Sequence, residues 1–284
     1  MKLSAVLALG ALVILHPAPA HSLDCAKATA PVEKQFCANP ELRKADEAMS
    51  TAYFKLLRGS ANPEFREALT RSQRRWLKER SETPGFDAFK DDPAEGRKAL
   101  LKMTRDRQQF LRAAGPIEAM EEQKEAGSKA SGGSFAGYDT SCSFLPPPYG
   151  DWLYACFGTV HRQHRDRICS LRTEWASGHA TEYRLVSLLT KGEPKPVASC
   201  STGYAGTREQ CPEPDDDAET KAIAHWNTNP LPANSYSVAR AAGLWKYDPD
   251  IRLSNEGQLW MDDCLFASSY PPAEVSRPDL PPKK

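Results

Sequence analysis

Few residues of this chain have the type and spacing that catalysis or metal binding needs. His161 and His164, followed by Asp166, offer two imidazoles and a carboxylate in a short segment, a set suited to a transition metal. Arg162, Arg165 and Arg167 lie in the same segment, and their positive charges oppose a bound cation. We therefore expect no metal here.

An acidic run and the familiar hydrolase motifs give no clearer sign of catalysis. Asp215, Asp216 and Asp217 lack the alternating ligands and the glycine of a calcium-binding loop. The sequence contains no Gly-x-Ser-x-Gly, His-Glu-x-x-His or phosphate-binding glycine loop. A cell-wall hydrolase with two carboxylates distant in sequence is the least favoured function that we retain. We expect a protein that is not an enzyme, with no catalytic residue and no cofactor.

The eight cysteines predict disulfide bonds, because their number is even and none has the Cys-x-x-Cys spacing of zinc ribbons and thioredoxin-like sites. Cys25 and Cys37 bracket one short helix, and no other cysteine precedes Cys142, so we predict that they pair with each other. The other six are expected to pair among themselves, with a connectivity that the sequence leaves open: Cys142, Cys156, Cys169, Cys200, Cys211 and Cys264.

The N-terminus predicts export. A positive start at Lys2 is followed by an apolar run over residues 3–15 and by Ala18-Pro19-Ala20, which supplies the small residues that signal peptidase requires. We expect a signal peptide over residues 1–20, cleaved near Ala20, and a periplasmic or secreted protein with no membrane anchor. Asp24 argues against lipid attachment at Cys25, since a lipoprotein signal needs a small residue there.

Residues 71–80 combine cations with a tryptophan and are the strongest candidate for a binding surface. On a helix, Trp76 lies on the buried stripe, whereas Arg71, Arg74, Arg75 and Lys78 lie around the solvent side. We interpret Trp76 as core. The basic residues are either a solvated face or a surface for an acidic partner or anionic glycan. Nucleic acid is not an expected partner, because the protein is exported and the excess positive charge of residues 24–113 is small.

These residues belong to a longer pattern that resembles the N-terminal domain of LprI-like lysozyme inhibitors. The resemblance covers residues 24–113 and includes Asp46, Tyr53, Gln73, Arg74, Trp76, Leu77 and Arg80. It implies a small, disulfide-stapled helical module and, as function, binding of lysozyme, which would protect the peptidoglycan of the cell. The alternative is an envelope interaction or immunity protein with another protein partner. The oligomeric state stays open.

Three helix-start signals support the helical module. Asn39-Pro40, Asn62-Pro63 and Asp92-Pro93 each place a side-chain acceptor before a proline, and an acid follows in the first turn. Apolar residues then recur at i, i+3 and i+4. We predict three long helices and a short one over residues 31–36, packed as a bundle in which Gln73 and Arg80 pair with backbone groups or with Asp46.

The C-terminal half predicts an antiparallel sheet. Runs at 152–160, 167–175 and 183–189 are rich in aromatic and β-branched residues and are separated by polar turns, including residues 161–166. We expect residues 258–261 to join this sheet. The chain as a whole is therefore predicted to be α+β, with a flexible linker over 114–137, a β-rich cysteine-containing domain over 138–270 and a disordered tail over 271–284.

Overall fold

The computed structural model describes most of the chain from residue 23 onwards. The described residues are 23–82, 90–129, 135–145, 153–176, 179–201, 211, 226–228, 247–252, 255–268 and 270. The predicted signal peptide, the acidic run 215–217 and the predicted tail 271–284 lie outside them. Among the described helices, none has the length and hydrophobicity needed to cross a membrane.

The N-terminal half is a helical module whose helices begin where the capping signals predict. Asn39 Oδ1 accepts hydrogen bonds from the backbone N–H groups of Glu41 and Leu42, and Asp92 Oδ1 caps its helix in the same way. The helices whose bounds lie within the described residues of this half are α1 (Pro31–Ala38), α2 (Pro40–Gly59), α3 (Pro63–Glu82), α4 (Pro93–Arg112) and α5 (Gly115–Lys129). A disulfide joins Cys25 and Cys37 across α1, as predicted.

Helix α5 corrects the expectation of a flexible linker over residues 114–137. Its residues Met120 and Gln123 are each at most 1% exposed, and Met120 packs with Phe65 and Leu69 of α3. The sequence suggested a linker because this segment has few large apolar residues and many charges. One apolar residue per turn is nevertheless enough to stabilise a helix that packs against a neighbouring helix.

The described part of the C-terminal half contains an antiparallel sheet, a five-stranded meander in the order of the chain. Its strands are β1 (Gly137–Leu145), β2 (Leu153–His164), β3 (Arg167–Ala176), β4 (His179–Thr190) and β5 (Glu193–Ser201). Lys191 and Gly192 connect β4 to β5 with φ values of 55° and 84°, the left-handed conformations that a tight hairpin requires. The predicted meander is confirmed, and α+β describes the layout.

The sequence patterns did not predict the two edge strands, β1 and β5, or the C-terminal end of β2. Strand β5 contains Pro194 and Pro196, which weaken the strand signal but are tolerated in the last strand of the five-stranded sheet. Strand β2 continues to His164, so that residues expected in a turn pair with β3 instead. Only Arg165 and Asp166 separate the two strands.

Residues 258–261 do not form a strand, which corrects a second expectation. They belong to helix α6 (Asn255–Phe266), whose Trp260, Met261 and Cys264 are buried with sheet residues. A short apolar run fits a buried strand and a buried helix equally well, so periodicity could not decide. The six C-terminal cysteines pair as Cys142–Cys156, Cys169–Cys264 and Cys200–Cys211, and the second of these bonds attaches α6 to β3.

Candidate functional site

The family-pattern residues lie mainly inside the helical module. Arg80 Nη1 is 2.6 Å from Asp46 Oδ1, and both side chains are buried. Asp46 Oδ2 also accepts a hydrogen bond from the backbone N–H of Leu23. The Arg80 guanidinium lies over the rings of Phe36 and Trp76, at 4.4 and 5.0 Å from their centroids. The expected pairing of Asp46 with Arg80 is present, and its role in the structure is to hold α2, α3 and α1 together.

Other pattern residues divide between the interior and the surface. Gln73 is buried, and its Oε1 accepts a hydrogen bond of 3.2 Å from Arg107 Nε. The buried Tyr53 donates its hydroxyl to Thr70 on α3, at 3.4 Å. Arg74 and Leu77 are exposed. Trp76 is 1% exposed and contacts Phe144 of β1 edge to face, so the core of the module continues into the sheet.

Arg75 takes part in a buried ion cluster, which corrects its predicted place on the solvent side. Its Nη2 is 2.7 Å from Asp248 Oδ1 and 2.5 Å from Asp250 Oδ2. Arg107 of α4 adds a contact of 2.9 Å between its Nη1 and Asp250 Oδ1. Helical periodicity placed Arg75 correctly outside the bundle, but the segment 247–252 covers that face. We call these four residues, Arg75, Arg107, Asp248 and Asp250, the ion cluster.

Neutral side chains from three elements add hydrogen bonds to the ion cluster. Thr140 of β1 accepts from Arg75 Nη1 and donates to Asp248 Oδ2, at 3.2 and 2.8 Å. Ser72 accepts from Arg107 Nη2 at 2.6 Å. Gln123 of α5 donates to the carbonyl oxygens of Asp248 and Ile251 and accepts from the Asp248 N–H. The cluster therefore joins α3, α4, α5 and β1 to residues 247–252.

The electrostatics of the ion cluster favour its ionised form. Burial raises the pKa of the Asp250 carboxyl, but Arg107 and Arg75 lower it by more, so the pKa lies below its ordinary value. Burial lowers the pKa of Arg75, and Asp248 and Asp250 raise it by more. General-acid catalysis needs a carboxyl group with a raised pKa, which Asp250 does not have. The arrangement is suited to holding elements together.

Of the three residues predicted to form a partner surface, the structure leaves only Lys78 prominently exposed. The Lys78 side chain is 71% exposed and lies 3.8 Å from Glu82. Arg71 Nη1 is 2.6 Å from Glu67, and its side chain is only 14% exposed. Arg75 is in the ion cluster. A role for Arg71 and Lys78 in partner binding stays a prediction.

The histidine segment does not assemble a metal site. His161 is 3% exposed, and its Nδ1 lies 2.8 Å from Ser170 Oγ. Burial lowers the pKa of His161 to about 4. His164 lies three residues further along the same strand, and hence on the opposite face, where its ring contacts Phe266. Elsewhere in the described chain, Cys142, Cys156 and Asp250 bring potential ligand atoms within 4.8 Å, but the sulfurs form a disulfide and the carboxylate is ion-paired.

Two surface depressions accompany the helices. The larger, which we call the helical groove, has a volume of about 900 Å³ and runs between α2, α4 and α5. A second pocket of about 520 Å³ lies beside the ion cluster, at the junction of α3, α4, β1 and β2. Its lining is largely aromatic and aliphatic: Trp76, Met103, Phe110, Phe144, Leu153 and Tyr154, with Lys102, Asp106, Arg107, Cys156 and Asp250.

Helix α5 also presents an acidic face that the sequence reading did not recognise. Glu118, Glu121, Glu122 and Glu125 are all exposed. Arg252 lies 3.8 Å from Glu118 and 3.2 Å from Glu122, and Lys129 lies 3.9 Å from Glu125, so three of the four acids are partly neutralised. The sequence contains these four glutamates within eight residues. They can be predicted to share a surface only when the segment is known to be a helix.

Residues 25–123 match the model of a protein family described as lysozyme inhibitor LprI. The matched segment contains α1 to α4 and the first part of α5, and it confirms the resemblance seen in the sequence for this part of the chain. No curated protein and no solved structure matches the chain significantly.

Proposed function

We propose that this protein is an exported binding protein that inhibits a lysozyme, on the premise that its helical module is of the LprI lysozyme-inhibitor type. The family match over residues 25–123 is the observation that carries the proposal. The predicted signal peptide over residues 1–20 supports export of the protein. The four disulfides are consistent with an oxidising compartment outside the cytoplasm.

By composition, residues 24–113 are basic, with 19 Lys+Arg against 14 Asp+Glu, which does not favour binding of a cationic lysozyme. The charge that these residues expose at the surface supports this function better. Many lysozymes are cationic, and an acidic surface would accelerate their association. Arg75, Arg80 and Arg107 are buried in ion pairs, so their charges do not contribute to the basic surface. Including α5, residues 24–129 contain 21 Lys+Arg and 18 Asp+Glu, and the extra acids lie on an exposed helix face.

We locate lysozyme binding on the acidic face of α5. The helix is attached through Gln123 to the segment 247–252 and through Met120 to α3, so its glutamates project from a rigid support. A surface that is already ordered loses little conformational entropy on binding. Glu121 and Glu125 are the acids of this face that Arg252 does not contact.

A cell-wall lysis assay tests the proposal directly. The purified protein, without residues 1–20, is mixed with lysozyme and a suspension of bacterial cell walls, and the loss of turbidity is recorded. We expect lysis to slow with increasing protein. The Glu121→Lys, Glu125→Lys double variant should inhibit at least tenfold less well, and high salt should weaken inhibition by the wild type.

The control variant carries the same change of charge on other exposed positions, Glu41→Lys and Glu95→Lys. It should inhibit like the wild type, since these residues lie on α2 and α4 away from the acidic face. Full lysozyme activity at a large excess of folded wild-type protein would rule out inhibition. Equal losses in the two double variants would leave inhibition standing and reject the acidic face as its site.

A further inference from the structure

The helical groove differs in chemistry from the acidic face. Its volume of about 900 Å³ is at the upper end of the range of roughly 300–1,000 Å³ that ligand pockets occupy. Leu56, Phe65, Leu111 and Ile117 supply an apolar floor, and the small side chains of Ala48 and Ala52 leave space beside α2. This space suits several apolar side chains and is too large for a single ion.

Three cations lie around this apolar floor. Lys55 comes from α2, Arg112 from the end of α4 and Lys124 from α5, and all three are exposed. In the part of the chain that the structure describes, none of their side chains has an ion pair or a hydrogen bond. Among the described residues that line the groove, Glu121, which also belongs to the acidic face, is the one acid, so this lining carries an excess of positive charge.

From this arrangement we infer that the helical groove is a docking site for a peptide segment of an acidic partner protein, whose apolar side chains enter the groove and whose carboxylates meet Lys55, Arg112 and Lys124. An apolar groove between helices is a common way to recognise a short amphipathic segment. The groove and the acidic face meet at Glu121 on α5, but they select different partners, because the three cations of the groove attract an acidic segment and repel a cationic lysozyme.

Two glycines allow a matched test. Gly59 lines the groove, and a Cβ placed there meets no atom within 4 Å. Because Gly59 is exposed at the end of α2 and lines the groove, we expect a bulky side chain there to occupy part of the groove. Gly127 on α5 has the same freedom but does not line the groove. Gly59→Trp therefore blocks the site, and Gly127→Trp controls for the presence of an added tryptophan.

The experiment begins with a phage-displayed library of random peptides panned on the full protein without its signal peptide, with counter-selection on Gly59→Trp. Selected peptides should combine large apolar residues with Asp or Glu. A fluorescein-labelled selected peptide should then bind in a polarisation assay. Its affinity should fall at least tenfold for Gly59→Trp, for Lys55→Glu with Arg112→Glu, and when the peptide's acids become amides. Gly127→Trp should bind like the wild type.

Several results would overturn the inference. These are selection of neutral or basic peptides, failure to select any peptide that discriminates against Gly59→Trp, or a fall in affinity for Gly127→Trp as large as for Gly59→Trp. A dimer in sedimentation that Gly59→Trp dissociates would assign the groove to a second copy of the chain instead. The lysozyme assay distinguishes this inference from the proposed function, because the Lys55→Glu, Arg112→Glu variant changes α2 and α4 and keeps the four glutamates of α5. It should lose the peptide and still inhibit lysozyme at least as well as the wild type.

Discussion

Arg107 of α4 and Asp250 of the segment 247–252 form an ion pair of 2.9 Å in which both side chains are 3% exposed. They are separated by more than half of the chain's length, yet each supplies the countercharge that the other needs in the interior. Arg75 shares Asp250, so α3 and α4 are both joined to this segment. The buried arginines of the helical module are therefore neutralised by carboxylates of the C-terminal half, and these carboxylates are neutralised by the arginines.

The first prediction concerns this pair. Asp250→Ala leaves Arg107 buried without a carboxylate, and removal of one partner of a buried ion pair costs about 3–5 kcal/mol. We expect a loss of that size in the free energy of unfolding, measured by urea denaturation followed by circular dichroism.

The exposed pair Arg105–Glu41 is the control for Asp250→Ala. Its side chains are 57% and 61% exposed. Glu41→Ala should cost less than about 1 kcal/mol, because water screens the interaction and solvates the remaining charge. If the two variants lose similar stability, the ion cluster does not couple the two halves in the way proposed here.

The second prediction separates core from surface in the arginine-rich segment of α3. Trp76 is 1% exposed, and Trp76→Ala should destabilise the protein by about 3–5 kcal/mol through lost burial and the cavity left behind. The adjacent Leu77 is 37% exposed, and Leu77→Ala should have an effect within about 0.5 kcal/mol. Thermal or urea unfolding measures both. An unchanged melting temperature for Trp76→Ala would contradict its place in the core.

The third prediction concerns the helix that replaces the expected linker. Lys124 is exposed but lies in a hydrogen-bonded helix next to Gln123, whose side chain bonds Asp248 and Ile251. Trypsin should cut after Lys124 slowly, because cleavage requires local unfolding of α5. Gln123→Ala leaves buried backbone groups of residues 248 and 251 unpaired, at a cost of about 1–3 kcal/mol, and should accelerate that cut.

Ser128→Ala is the control for this proteolysis experiment, since Ser128 is exposed and bonds only within its own helix. Mass spectrometry of timed digests identifies the cut after Lys124. Rapid cleavage of the wild type at Lys124, with release of two intact pieces, would support a flexible linker and contradict the packed helix.

The fourth prediction is a pH dependence that originates at His161. Burial lowers the pKa of His161 from an ordinary 6.5 to about 4 in the folded protein. Between these two values the unfolded chain binds a proton that the folded protein does not, so stability falls as the pH falls. The shift corresponds to roughly 3 kcal/mol, lost progressively from about pH 6.5 to about pH 4.

Urea unfolding of the wild type and of His161→Gln over this pH range measures the effect. Glutamine retains a polar group opposite Ser170 but does not titrate, so the variant should lack this part of the pH dependence. Parallel stability curves for the two proteins would mean that His161 does not cause the loss.

The sequence by itself determined the local features of this protein. Asn39-Pro40 and Asp92-Pro93 predicted helix starts that the structure shows, because capping and the restricted φ of proline act within a few residues. The Cys25–Cys37 bond followed from position alone, and the meander followed from three strands with short turns. The family pattern likewise identified Asp46, Arg80 and Trp76, which contact one another within the module.

Only the tertiary structure decided which side of a helix is covered and by what. Helical periodicity predicts a solvent-exposed position for Arg75, because it describes the faces of a single helix. It gives no information about Asp248 and Asp250, which are distant in sequence and cover this face. The same limit hid α5, whose weak apolar stripe is sufficient only beside α3 and residues 247–252, and α6, whose apolar run fits two kinds of element. The ion cluster and the helical groove exist because distant segments meet, and contacts between distant segments leave no periodic signal in the sequence.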